Sequence, residues 1–366
     1  MITMAAKITG ISRDLIIHPG KTIGDILGAR GISQVELANS TGISAAYISN
    51  VIAGKKNISA KFAQALEYTL NIPKSFWLNL QANYDAELLE YMEAETITDD
   101  ERKIIRSLNP IIKYLKGKKK FHAMVEKCES VLMVRQVLRV SNLANLPNIV
   151  PQGAFRMEDS KKIDPYVLGA WLRMCQLYGE QSIATTKFDS GKIDELVSKL
   201  KDVMMAKDGD LQNDLKELMA NYGIDFFIIK NFQGAPVQGY IKQKNDGTYQ
   251  MFLTIRRAYA DIFWFSLFHE LGHIVNGDVS KNNKFIDMDS SRECEKKADE
   301  FASKNLLSIE GYDAFLKKKD FSISAIKKFA DQQKVMPYVV IGRLQKEKYL
   351  SYQQYSSYKL KYIWAS

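Results

Sequence analysis

The sequence predicts a mainly α-helical protein with a small α+β domain towards its C-terminal end. Three observations carry this reading. Apolar residues recur at helical spacing, between capping residues and glycines, from Thr22 to about Leu80 and again through much of 98–200. Three runs rich in β-branched and aromatic residues follow, at Ile224 to Ile229, Val237 to Lys242 and Tyr249 to Ile255. Asn245-Asp246-Gly247 is a hairpin turn between the last two, so the sheet is expected to be small and antiparallel. The expected divisions are 1–96, 97–205 and 206–366.

In the first division, Thr22 to Arg30 places Ile23, Ile26 and Leu27 on one face, and Gly31 ends the helix. Ser33 with Glu36 makes a capping box for Gln34 to Ser40, which turns Val35, Leu37 and Ala38 inward. Ser44 caps Ala45 to Ala53, and Gly54 stops it. Ala60 to Leu70 is amphipathic, and Phe76, Trp77, Leu78 and Leu80 are expected to seal the bundle. The middle division reads as helices over Asp100 to Lys116, His122 to Leu138, Pro165 to Leu177 and Gly191 to Met205, broken by Pro147 and Pro151. It carries no catalytic constellation. After the strands come helices over Ala258 to Val275, Arg292 to Leu307, Ser322 to Gln332 and Pro337 to Lys346.

Composition bounds the function. The 366 residues are 46% hydrophobic and 25% charged, ordinary for a globular protein with a sizeable core. No apolar run is long enough to cross a membrane, and Met1 to Ile17 does not read as a leader, so a cytoplasmic location is expected. Cys128, Cys175 and Cys294 are odd in number and scattered, which argues against a disulfide framework. The net charge of +9 suits an acidic partner such as nucleic acid. The run Lys116, Lys118, Lys119 and Lys120 reads first as a solvated face.

The sharpest signal is His269-Glu270-Leu271-Gly272-His273. On a helix, residues four apart share a face, so the two imidazoles can converge on one cation while Glu270 reaches a water on its open side. Imidazole nitrogens suit zinc, with manganese less suited to two histidines. Phe263, Trp264, Phe265, Leu267 and Phe268 bury the helix. A carboxylate is the usual third ligand in hydrolytic sites. Glu295 is the first candidate and Glu293 its rival, and Asp299, four residues on, is placed to hydrogen-bond the far nitrogen of a ligand histidine.

These residues, together with Glu295 through Ala302 (Glu-x-x-Ala-Asp-x-Phe-Ala), resemble the ImmA/IrrE family of metallopeptidases over roughly the final 150 residues. The resemblance implies a zincin-like domain at 206–366, with Glu270 as catalytic base and His269, His273 and Glu295 on zinc. It also implies cleavage or inactivation of a cognate repressor. Many relatives carry asparagine where this chain has Asp299. His18-Pro19-Gly20, Gly31 through Ala38 and Phe76 through Tyr84 resemble HigA-type antitoxins of the Cro/repressor helix-turn-helix superfamily. Such antitoxins are often far shorter and lack a peptidase half.

In a helix-turn-helix domain the second helix of the motif enters the major groove of an operator. Ala45, Ala46, Tyr47 and Asn50 would then face base edges, Gln34 would bond a phosphate, and Lys55 and Lys56 would neutralise backbone charge. Paired half-sites imply a homodimer. Two functions remain open from sequence: a DNA-binding regulatory zinc metallopeptidase acting on a repressor or other partner, and a HigA-like repressor or antitoxin of a toxin-antitoxin module whose metal domain only senses or binds. The second is favoured by the lack of an obvious oxyanion-stabilising group; Tyr240, Arg256, Arg257 and Tyr338 are the candidates.

Overall fold

The computed structural model describes residues 15–93, 96–117, 131–150, 163–206, 209–255, 258–279, 285–286 and 292–362. Lys118, Lys119, Lys120, Cys128, Pro151, Arg256, Arg257 and the first part of the helix expected over His122 to Leu138 lie outside these residues. The chain divides into two compact units, 1–99 and 100–366.

The first unit is a bundle of α1 (Pro19–Arg30), α2 (Gln34–Thr41), α3 (Ala45–Ile52), α4 (Ala60–Leu70) and α5 (Lys74–Glu93). The caps act as expected. The Ser33 hydroxyl accepts from the Glu36 amide while the Glu36 carboxylate accepts from the Ser33 amide. Ser44 and Ser59 cap α3 and α4 by the hydroxyl alone, which accepts from the amides of Tyr47 and Phe62. Gly31 and Gly42 end α1 and α2 with left-handed backbone, the conformation glycine adopts at least cost. Ile23, Leu37, Ile48, Val51, Phe62, Leu66 and Trp77 form the core. Two expectations are corrected. Val35 is 62% exposed, because it lies at the first turn of α2 on the face away from Leu37. Of the sealing group, Phe76 and Leu78 are exposed and only Trp77 is sunk, since one helix face alone can meet the bundle.

The second unit opens with α6 (Asp99–Lys116), α7 (Val131–Leu138), a 3-10 turn (Leu143–Ile149) and α8 (Pro165–Gly179), followed by α9 (Ile193–Met205) and α10 (Leu211–Ala220). The sheet comprises β1 (Ile224–Ile229), β2 (Gly239–Gln243), β3 (Tyr249–Thr254) and β4 (Phe285–Ile286), in the order β1-β3-β2-β4. Then come α11 (Ala260–Val275), α12 (Arg292–Leu306), α13 (Ile309–Lys317), α14 (Ile323–Gln332) and α15 (Pro337–Lys346).

The sheet is mixed and not antiparallel throughout. The β2–β3 hairpin turns at Asp246-Gly247 as expected, with the Asp246 carboxylate accepting from the Thr248 amide. β1, however, pairs parallel with β3. Every residue of β1 and β3 is buried, as befits strands covered on both faces. Phe226, Ile228, Ile241, Met251 and Leu253 join α9, α10, α11 and α12 in one core. On the opposite face Phe227, Phe252 and Tyr240 stack, and Trp171 of α8 meets Tyr240 edge-on at 6.4 Å.

A buried ion pair fastens the start of this unit. Glu101 is fully buried and accepts from Arg135 Nε (2.8 Å) and from the Leu143 amide (2.9 Å). Removing one partner strands a charge in low dielectric. Glu101→Ala is therefore expected to destabilise the protein by about 3–5 kcal/mol. Glu180→Ala, which breaks the exposed Arg139–Glu180 pair, should cost no more than about 1 kcal/mol. Urea unfolding of the two variants compares them directly, and equal midpoints would refute the assignment.

Candidate metal centre

α11 carries His269, Glu270 and His273 through the core because nearly its whole length is apolar. α12 crosses it closely. A Cβ on Gly272 would lie 3.1 Å from Ala298 Cα and 3.2 Å from Phe301 Cβ, so glycine there lets the two helices approach. This approach brings Glu295 over the imidazoles. Its oxygens lie 3.2 Å from His269 Nε2 and 3.5 Å from His273 Nε2, and the two Nε2 atoms are 3.0 Å apart. One donor atom from each of His269, His273 and Glu295 falls within 4.8 Å of the others. Glu293, the rival, pairs instead with Lys297 at 2.8 Å on the exposed side of α12.

The far nitrogens are fixed by carboxylates. His269 Nδ1 lies 2.9 Å from Asp299 Oδ1, the pairing expected from the spacing. His273 Nδ1 lies 2.8 Å from Asp278 Oδ2. Asp278 escaped the sequence reading, because it sits on the turn after α11, where no helical spacing ties it to His273. With both Nδ1 atoms donating to carboxylates, both Nε2 lone pairs face Glu295, the arrangement of a carboxylate–histidine–metal site. Two such lone pairs at 3.0 Å repel unless a proton or a cation lies between them. The field favours positive charge there. Burial opposes a charge on His269, but Asp299, Glu295 and Glu270 outweigh it and push its pKa up to about 10. His273 is held below its ordinary value by burial, with the charge on His269 adding to the effect, although Asp278 pulls the other way. The donor set thus fits a divalent cation of the zinc type.

Glu270 is buried (1% exposed) against β2. A Cβ on Gly239 would lie 1.9 Å from Glu270 Oε1, so only glycine leaves room for this carboxylate. A cavity of about 380 Å³ opens beside the cluster, lined by His269, Glu295 and Asp299 at one end and by Ile255, Ile262 and Phe265 among others. Two of the oxyanion candidates face elsewhere. Strand alternation turns Tyr240 to the face opposite Gly239, where it packs on Trp171 and Phe252. Tyr338 is 3% exposed in the core with Trp264 and Tyr362.

In the first unit, Gln34, Ala45 and Ala46 are exposed and Asn50 is half-buried, with Lys55 and Lys56 exposed just beyond α3. Tyr47 is engaged within the domain. Its ring packs edge-on against Phe62 at 5.5 Å, and its hydroxyl donates to the Asn57 carbonyl and accepts from the Ser59 amide. It braces the segment after α3, so it does not stand free for a base edge. Ser49 is exposed one turn from Ala45 on the same helix.

Residues 23–77 match the helix-turn-helix family model. The chain is 42% identical over 69 residues to virulence-associated protein A' of Dichelobacter nodosus, a match covering 19% of this chain and 60% of that protein's length. It is similar to an addiction module antidote protein of a HigA family from Coxiella burnetii, at 29% identity over 22% of this chain and 95% of that one, with a TM-score of 0.21. It is also similar to antitoxin GraA, at 26% identity over 22% of this chain and 94% of that one, with a TM-score of 0.21. The first unit therefore contains a helix-turn-helix domain.

Purified protein is expected to bind about one zinc per chain. Asp278→Ala and Asp299→Ala should each weaken zinc by about 10–100-fold, measured by chelator competition, and Glu295→Ala by more. Unchanged affinity in Asp278→Ala would refute its orienting role.

Proposed function

We propose that this chain is a helix-turn-helix regulator of HigA-like antitoxin kind whose second unit is a zinc-dependent peptidase, acting on a cognate repressor or toxin. The observation that carries the hydrolytic half is the His269, His273 and Glu295 cluster, whose His269 and Glu295 line a cavity of side-chain size, with the buried Glu270 carboxylate close enough to act on the charge of His269. His269, His273 and Glu295 would hold the ion, and when bound it supplies Lewis acidity to a peptide carbonyl and to water. Asp299 and Asp278 orient the two imidazoles. Glu270 accepts a proton from the attacking water and passes it to the leaving amine. Its burial against Gly239 keeps the carboxylate out of bulk water.

The zincin-like label for the second unit belongs to this proposal. It is supported by the order of parts: a sheet with glycine facing the base, the helix bearing both histidines, and a crossing helix bearing the third carboxylate. The first unit would read a double-stranded operator through α3 as a dimer, with Gln34, Ala45, Ala46, Asn50, Lys55 and Lys56 at the surface.

A second reading is favoured by one observation. Tyr240 and Tyr338, the tyrosines the sequence offers to stabilise an oxyanion, pack away from the cavity, although Tyr259 lies on its wall. On that reading the protein is a HigA-like repressor or antitoxin whose metal domain senses.

Glu270→Gln separates the two. It is expected to keep zinc and operator binding while cleavage of the co-purified partner falls at least about 100-fold. Equal cleavage by wild type and variant, or none by either, would leave the sensing reading standing. Operator affinity should fall steeply with salt, and Lys55→Ala with Lys56→Ala should reduce the slope of log affinity against log salt by about 2. An unchanged slope would remove those lysines from the phosphate contacts.

A further inference from the structure

We propose that a second cavity in the same unit, enclosed by α11, α12 and α15, binds a small amphipathic monoanion, an aliphatic carboxylate of about eight carbons. This goes beyond the hydrolytic reading and does not depend on it. The cavity holds about 320 Å³ and is lined by Ile262, Phe265, Leu306, Leu307 and Val339. That is at the lower end of ligand-site volumes, and at roughly 30 Å³ per water-sized group it takes about ten heavy atoms. An apolar void of this size left empty forfeits packing energy, whereas an apolar guest recovers it.

The rim sets the charge of the guest. Asp261 is matched by Lys359 at 2.7 Å. Glu347 accepts from Arg343 at 2.9 Å and from the Tyr312 hydroxyl at 2.8 Å, and the Arg343 guanidinium lies over the Tyr312 ring at 4.1 Å. Lys346 differs. Its nearest carboxylate is Asp299 at 3.9 Å, its side chain is 67% exposed, and its ammonium sits 4.6 Å from the centre of the Phe265 ring at the cavity edge. An apolar interior with one loosely matched cation at its mouth complements a hydrocarbon tail carrying one negative charge. Phe265 and Ile262 also line the cavity beside His269, so a guest here touches the wall of the metal centre.

Isothermal titration of the full chain with octanoate and with octanol tests this. Wild type should bind one octanoate per chain, and Lys346→Gln should weaken octanoate about fivefold while leaving octanol unchanged. Leu306→Trp, which fills the cavity, should abolish binding of both while zinc content stays at the wild-type value; Val339→Phe serves the same purpose should that variant not fold. Absence of octanoate binding to wild type, or undiminished binding to the filled variant, would overturn the site. Equal loss of octanoate and octanol in Lys346→Gln would overturn the assignment of an anion.

Discussion

The close crossing of α11 and α12 at Gly272 and Ala298 is the contact on which the metal centre depends. Packed helix axes ordinarily stand 8–10 Å apart, at a distance set by the side chains between them. Here the side chain is absent on one helix and a methyl on the other, and Ala298 Cα would be only 3.1 Å from a Cβ at Gly272. Glutamate has a short reach. With bulkier residues at the crossing, Glu295 would be held away from His269 and His273, and the cluster would open. The sequence spends its small residues where the two helices touch and its large ones, Phe263, Trp264 and Phe268, where α11 meets the rest of the core.

Electrostatics then sorts the groups by role. Each imidazole has one nitrogen bound to a carboxylate that holds the ring and one aimed at Glu295. Asp299 is drawn below its usual range mainly by His269, so it stays ionised and accepts. Glu270 is sunk against Gly239, and its charge is felt by His269. The neighbouring cavities share Ile262, Phe265 and Lys346, so the wall between them is about one turn of α11 and the end of α15.

In the first unit the division is between residues that build the domain and residues left at its surface. Tyr47 shows why the two are hard to separate from sequence. A tyrosine on α3 has both an apolar ring and a polar tip, and here Phe62 takes the ring while the backbone of Asn57 and Ser59 takes the hydroxyl. Ala45, Ala46 and Ser49 have no such partners in the core and remain on the outer face of α3.

Local chemistry was legible in the sequence. The Ser33–Glu36 capping box, αL glycines, the Asp246-Gly247 turn, and the one-turn separation of His269 from His273 and of Glu295 from Asp299 are short-range facts, fixed by backbone geometry within a few residues. Burial of α11 was legible too, since its apolar run admits no exposed face. What the sequence could not determine depends on contacts between distant segments. The parallel pairing of β1 with β3, the turning of Gly239 rather than Tyr240 towards Glu270, the meeting of Asp278 with His273, and the second cavity all arise from how elements pack. Packing is set by shape across tens to hundreds of residues, and no local spacing records it.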